Sequence, residues 1–232
     1  MKLKINTPLG KYTYRFVPLF AGTKVINKEI SARNLLDFKR VMDDAGITFL
    51  LSYGTLLGAV REGDFISHDE DIDLIVSCEQ TQSLLSSLFV LRDNGFEVCR
   101  YDRRGVISFM KEGEYIDIYI FSPLEKGILA CGREVIPEQF LTDITTFSFK
   151  GTSYNVPKEY IRYLEFFYGV EWQIPRQYYH YELPAWRRLL HIAVQYAKEF
   201  MPDWLFFALV EHNDRKYRQP LLDKIYKNYT QS

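Results

Sequence analysis

The sequence predicts an α+β fold, a mixed β-sheet flanked by helices with a helical C-terminal region. Three observations predict it. A segment of helical period from Lys28 to Ala45 runs directly into a short apolar stretch. An acid–aliphatic alternation over 71–76 is followed at once by a second helical segment. Three β-like runs between residues 96 and 121 are then separated only by turn signals. Helices and strands interleaved in this order pack as a sheet with helices against it.

Residues 1–26 read as an irregular or short-stranded lead-in. In the first helix Ile30, Leu35, Phe38, Val41 and Met42 recur at helical spacing, Asn27 caps the start and Gly46 supplies a left-handed stop. ITFLLSY (Ile47–Tyr53) is short and apolar, as a buried strand requires. A Gly54-Thr55 turn precedes a short helix over 56–62. Along Asp71–Val76 the acids alternate with aliphatic residues, the period of a strand with one polar face. Glu79–Asp93 reads as a helix with Leu84, Leu85, Leu88 and Leu91 inside, closed by Asn94-Gly95. FEVCRY, VISFMKE and YIDIYIF, divided by Arg103-Arg104-Gly105 and by Gly113, predict an antiparallel meander. PKEYIRYLEFFYG, from Pro157, reads as a helix with Pro at its start and Gly at its end. Residues 176–232 are rich in Tyr, Trp, Phe and Arg and read as mostly helical. The expected organisation is a lead-in over 1–26, a core over 27–156 and a helical region over 157–232.

Composition limits the function classes. At 232 residues, 47% hydrophobic and 16% aromatic, the chain has ample material for one core. A net charge of −1 argues against nucleic-acid binding by bulk electrostatics. Cys78, Cys99 and Cys131 are odd in number and widely spaced, which implies reduced thiols in a cytoplasmic protein rather than a disulfide frame or zinc site. The N-terminal residues lack the apolar region of a signal peptide, and the longest apolar run, Trp204–Val210, is too short to span a bilayer. A soluble chain is expected.

The chemistry concentrates between Glu62 and Asp73, where six of twelve residues are acidic and none is Lys or Arg. On a strand Asp71 and Asp73 point to one face, opposite Ile72, Leu74 and Val76. Two carboxylates held side by side are the minimum platform for Mg²⁺, which leaves other positions to waters and phosphates. A lone Asp-x-Asp is equally the mark of a solvated strand end. Three neighbours favour the functional reading. Gly54-Thr55 offers backbone N–H groups beside a buried strand, Asp117 interrupts an aromatic–aliphatic strand, and Arg61 lies between turn and acids, where it can clamp a phosphate. Each has a plainer alternative: an ordinary turn, an edge-strand acid, a counter-charge to its neighbours.

GTLLGAVREGDFISHDEDIDL (Gly54–Leu74) resembles the signature of the LicD family, which includes bacterial phosphocholine transferases and is similar to the fukutin-related ribitol-phosphate transferases. YIDIYIF and VPKEYIRYLEFFYGVEW extend the resemblance, which runs from about Asn27 to Trp172. The chain departs at Ser67-His68, where the family commonly carries Pro-Trp, so His68 either takes over a packing role or touches substrate. The resemblance implies a nucleotidyltransferase-type catalytic core over 27–156. It also implies transfer of a phosphorylated small alcohol, choline or an alditol, from a CDP-linked donor to a glycan or lipid-linked glycan hydroxyl, with release of CMP. In that chemistry Asp71, Asp73 and Asp117 would hold Mg²⁺ or Mn²⁺, and one of them, or Asp69, would accept the acceptor's proton. Gly54, Thr55 and Arg61, with His68, would bind donor phosphates. Two rivals remain: a nucleotidylyltransferase built on the same fold, and a relative that only binds nucleotide. Glu70 is expected to face solvent.

In the tail, Trp186, Leu189, Leu190, Ala193, Val194 and Ala197 form an apolar stripe at helical spacing beside Arg187 and Arg188. Core packing is the plainer reading. Peripheral docking at the inner face of a membrane, near a lipid-linked acceptor, is the sharper one.

Overall fold

The computed structural model describes residues 2–19, 24–175 and 184–229. The chain opens with an antiparallel hairpin, β1 (Leu3–Thr7) and β2 (Gly10–Tyr14). Helix α1 (Lys28–Asp44) follows, and Asn27 caps it by accepting from the Ile30 N–H at 3.1 Å. Gly46 then leaves the helix at φ 66°, a left-handed conformation that costs glycine little. β3 is only Leu50–Leu51, shorter than the strand expected over 47–53, because Tyr53 already begins helix α2 (Tyr53–Arg61). Gly54 and Thr55 are therefore not a separate turn. They lie in the first turn of α2.

β4 (Ile72–Ser77) starts one residue after Asp71, and α3 (Thr81–Asp93) follows it through a 3₁₀ turn. The expected meander is present as β5 (Glu97–Asp102), β6 (Val106–Lys111) and β7 (Glu114–Glu125), paired antiparallel in that order. Beyond it lie elements that the sequence pattern does not announce: β8 (Ile128–Cys131), β9 (Glu134–Pro137), a single turn α4 (Gln139–Thr142), β10 (Ile144–Phe149) and β11 (Thr152–Pro157). Pro157 ends a strand rather than starting a helix. With no N–H to donate, it suits the last ladder position opposite Ile144, and α5 (Tyr160–Tyr168) begins three residues later.

The strands order as β10-β11-β3-β4-β7-β6-β5, with β8 and β9 continuing from the far end of β7. β4 and β7 are parallel neighbours near the centre, and β3 runs antiparallel to β4. Mixed pairing of this kind buries both faces of the central strands, and Ile72, Leu74, Ile75 and Val76 are all inaccessible. α1 packs on α3 and β7, whereas α2 packs on β4 and α5. Phe38 of α1 anchors the core, its ring 5.5 Å from those of Phe96 and Phe109.

The tail forms α6 (Ala185–Phe200) and α7 (Asp203–Asn228); residues 176–183, included in the helical reading of the tail, lie outside the described residues. α7 returns to the body along β9 and buries Phe206, Val210, Asp214 and Ile225. α6 buries none of its residues, which corrects the core-packing reading of its stripe. Cys78, Cys99 and Cys131 are all free thiols. Among the described residues no helix is long and apolar enough to cross a membrane.

Candidate active site

Parallel pairing of β4 with β7 sets Asp73 directly opposite Asp117. In-register residues of neighbouring strands point to the same face, so the two carboxylates stand side by side, both buried. Asp71, two residues before Asp73, adds a third acid at the entrance to β4, and Asp69 and Glu70 follow it along the cleft wall. All of them line one cleft of about 720 Å³, a size suited to a nucleotide-linked small molecule. Glu70 therefore faces the cleft, contrary to the expectation that it faces bulk solvent.

α2 is aimed at the acids. Its Gly54 N–H donates to Asp73 Oδ2 at 3.3 Å, so a helix N-terminus with its partial positive charge meets the pair. A Cβ on Gly54 would overlap the Asp69 carboxyl, which explains glycine at this position. Tyr53, one residue earlier, holds φ at 39°, a strained backbone for a side-chain-bearing residue. Its ring is clamped by Tyr119 at 5.0 Å and Phe167 at 4.8 Å, which keeps the turn in place. Thr55 differs from expectation. Its fully buried hydroxyl accepts from the Asp73 N–H at 2.9 Å and lies outside the cleft lining, so it positions Asp73 and offers no grip on a phosphate.

Arg61, in the last turn of α2, faces the cleft while donating to Glu62 at 2.6 Å and to the Trp172 carbonyl at 3.4 Å. His68 lines the same wall, half-buried. The acids are thus brought together with Gly54, Arg61 and His68, and of the sequence candidates only Thr55 stands behind the surface.

Several cleft residues escape the sequence reading. Arg100 on β5 donates to Asp117 Oδ2 at 2.5 Å and to Ser108 Oγ at 2.9 Å. Among the described residues it is the cation paired with the buried acids, and only the β5–β6–β7 register reveals it. Phe167 and Tyr168 at the end of α5, with Trp172 just beyond it, form an aromatic wall, and His191 and Gln195 of α6 line the same cleft. Spacing carries no sign of them.

The electrostatics follow from this crowding. Burial, then repulsion from Asp69 and Asp117, pushes the Asp73 carboxyl well above its ordinary range, although the Gly54 N–H and the Tyr119 hydroxyl pull it down. Asp71 is raised well above its ordinary value by burial and by Asp73 and Asp117. Asp117 is raised by burial, against the pull of Arg100. Asp69 is pushed up to about 6, mainly by burial. Four carboxyls that resist ionisation in one cleft make a site whose stability improves when positive charge arrives.

Whether a divalent ion fits is decided by the donors present. Asp117 Oδ1 is buried without a hydrogen-bond partner among the described residues. Such an oxygen beside a second carboxylate is what a hard cation requires. Among the described residues no three His, Cys, Asp or Glu side chains already converge as a closed ligand set. The fit is therefore to an ion that takes one or two carboxylates and completes its shell with phosphate oxygens and water, the habit of Mg²⁺.

A mixed sheet that sets Asp-x-Asp beside a third Asp on a parallel neighbour, under a helix N-terminus, defines a nucleotidyltransferase-type domain. Residues 46–159 match the family described as LicD/FKTN/FKRP, nucleotidyltransferase domain. Ribitol 5-phosphate transferase FKRP of Mus musculus and that of Homo sapiens are each 30% identical over 145 residues, which cover 56% of this chain and 29% of theirs. Over residues 46–159 the chain carries a LicD-family nucleotidyltransferase domain, and it is related to fukutin-related protein. The match spans less than a third of the length of those relatives. Among solved structures, the lincomycin-bound lincosamide antibiotic adenylyltransferase LnuA is similar at a TM-score of 0.43 and 14% identity, over 70% of this chain and 95% of that one. ANT(2'')-Ia in solution is similar at a TM-score of 0.46 and 12% identity, over 86% of this chain and 95% of that one.

Proposed function

We propose that the chain is a metal-dependent phosphotransferase. It moves a phosphorylated small alcohol, phosphocholine or an alditol phosphate, from a CDP-linked donor to a hydroxyl of a cell-surface glycan and releases CMP. The observation that carries this reading is the buried, in-register Asp73–Asp117 pair in the cleft of a LicD-family domain. The relatives named above are ribitol 5-phosphate transferases, which favours an alditol phosphate as the transferred group.

Asp73 and Asp117, with Asp71 beside them, would hold Mg²⁺ or Mn²⁺. Bound there, the ion would offset charge on the donor pyrophosphate and on the leaving CMP. The chain's own groups do the rest. The N-terminus of α2 presents N–H groups to phosphate oxygens. Arg61 and Arg100 bring guanidinium groups to the cleft, and Arg100 keeps Asp117 oriented through Oδ2 while Oδ1 stays open. The acceptor oxygen bonds to the phosphorus that carries the alcohol as the bond from that phosphorus to CMP breaks. The acceptor's proton passes to a carboxylate of the cleft, a role supported for Asp69 by its position in the lining against Gly54. The aromatic wall of Phe167, Tyr168 and Trp172 shields the reacting groups from water.

The test is product analysis. The protein is incubated with Mg²⁺, a glycan extract and CDP-ribitol, CDP-glycerol, CDP-choline, CTP or ATP, and CMP and pyrophosphate are measured. CMP formed from a CDP-alcohol, with the alcohol phosphate appearing on the glycan, is the expected result. Pyrophosphate from CTP or ATP with no turnover of any CDP-alcohol would replace this reading with a nucleotidylyltransferase.

A further inference from the structure

α6 sits on the body the wrong way round for a core helix. Its inner edge carries polar anchors beside one aromatic contact: Gln195 donates to the Leu19 carbonyl at 3.2 Å, Glu199 accepts from the Tyr14 hydroxyl at 2.6 Å, and the Tyr196 ring meets Phe16 at 5.2 Å. Arg103 holds the far end, donating to the carbonyls of Lys198 at 2.5 Å and Met201 at 2.8 Å while lying over the Phe206 ring. At about 100° per residue, Trp186, Leu189, Leu190, Ala193, Ala197 and Phe200 fall within roughly a third of the helix circumference, opposite Gln195 and Glu199. That apolar arc faces outward: Trp186 is 62% exposed, Leu189 66% and Leu190 58%. The first turns of α7 add exposed Trp204 and Phe207.

Surface helices of soluble domains turn the apolar arc inward, so an outward arc marks an interaction surface. Its occupant follows from charge. Arg187 and Lys198, which flank the arc, are exposed, whereas Glu199, the helix's single acid, is turned inward onto Tyr14. A second copy would bring the same cations against them, and an anionic surface would attract them. Trp and Leu on one face with Arg and Lys at its border match a helix that lies in a lipid interface. Sixteen residues make a helix about 24 Å long, and none of the described helices can span a bilayer, so the helix lies flat.

We infer that α6 docks the protein on an anionic membrane surface, with its outward apolar arc in the acyl boundary and Arg187 and Lys198 at the headgroups. His191 and Gln195 on the inner side of the same helix line the cleft, so docking places the cleft lip next to the lipid surface. The inference does not rest on the chemistry proposed above, because binding is read without substrate.

The experiment is flotation of the whole chain with phosphatidylcholine vesicles with and without phosphatidylglycerol. Light scattering and Trp fluorescence are recorded in parallel. Expected are co-flotation that needs phosphatidylglycerol and weakens in high salt, a blue shift reduced in Trp186→Phe, and a drop of more than about tenfold in vesicle affinity for Leu189→Glu/Leu190→Glu. Both leucines are exposed, so the double variant keeps its melting temperature. Three results would each overturn the inference: no flotation with anionic vesicles, flotation unchanged in the double variant, or a stable dimer that the double variant dissociates.

Discussion

Asp69→Asn removes one negative charge from the cleft and keeps the oxygen that accepts from the Glu70 N–H at 3.1 Å. In the unliganded protein the Asp69 carboxyl is raised from 3.8 to about 6, chiefly by burial. A shift of that size corresponds to about 3 kcal/mol against the charged form at pH 7. The side chain is only partly buried, and solvent screens part of that, so a gain of about 1.5 kcal/mol is expected on substitution. For a domain of this size the melting temperature at pH 7 in EDTA should rise by about 3–6 °C. The sign with pH is specific. A carboxyl raised in the folded state contributes full stability below its unfolded value, and that contribution is lost as pH rises through the folded value. The wild-type protein should therefore gain stability as pH falls from about 6 towards 4, and the gap to Asp69→Asn should close over that window. Scanning calorimetry from pH 4 to 8 measures it. Equal melting temperatures at pH 7, or a gap that widens towards pH 4, would refute the electrostatic account of the cleft.

On the proposed function, Asp73→Asn should lower phosphotransfer by about a thousandfold while the protein in EDTA melts higher, because the buried charge opposed by Asp69 and Asp117 is gone. Activity close to wild type, or a lower melting temperature in EDTA, would count against the assignment. Asp214→Ala should do the opposite to stability. Asp214 is buried against Arg104 at 3.2 Å and Arg133 at 3.5 Å, and its loss removes the buried one of α7's polar anchors. A cost of about 3 kcal/mol is expected, since Arg104 keeps Asp102, and the melting temperature should fall by about 6–12 °C in thermal unfolding.

Helix α1 was legible because its signals are local: an Asn cap, a period of 3.6 and a glycine stop lie within one segment. The acid–aliphatic alternation of β4 is local in the same way, and so is the long Gly54–Leu74 motif that carries the family. β10 and β11 were not legible, because the pairing of β11 with β3 that joins them to the sheet is a long-range choice. Arg100 shows the same limit. In the chain it is one basic residue in an ordinary strand, and only sheet register sets its guanidinium on Asp117. Thr55 looked like a phosphate grip beside glycine, and the packing of α2 on β4 turned its hydroxyl to the Asp73 backbone.

By itself the sequence determined the composition of the cleft's acidic wall, the principal helices and the family, since all of these are written in residue types at short spacing. Tertiary structure alone decided that Asp117 stands beside Asp73, because strand order and register are set by burial across the whole sheet. It also decided which way α6 faces. Periodicity shows that a helix has an apolar side, and the contacts of Tyr14, Leu19 and Arg103 with its other side turn that face to the outside.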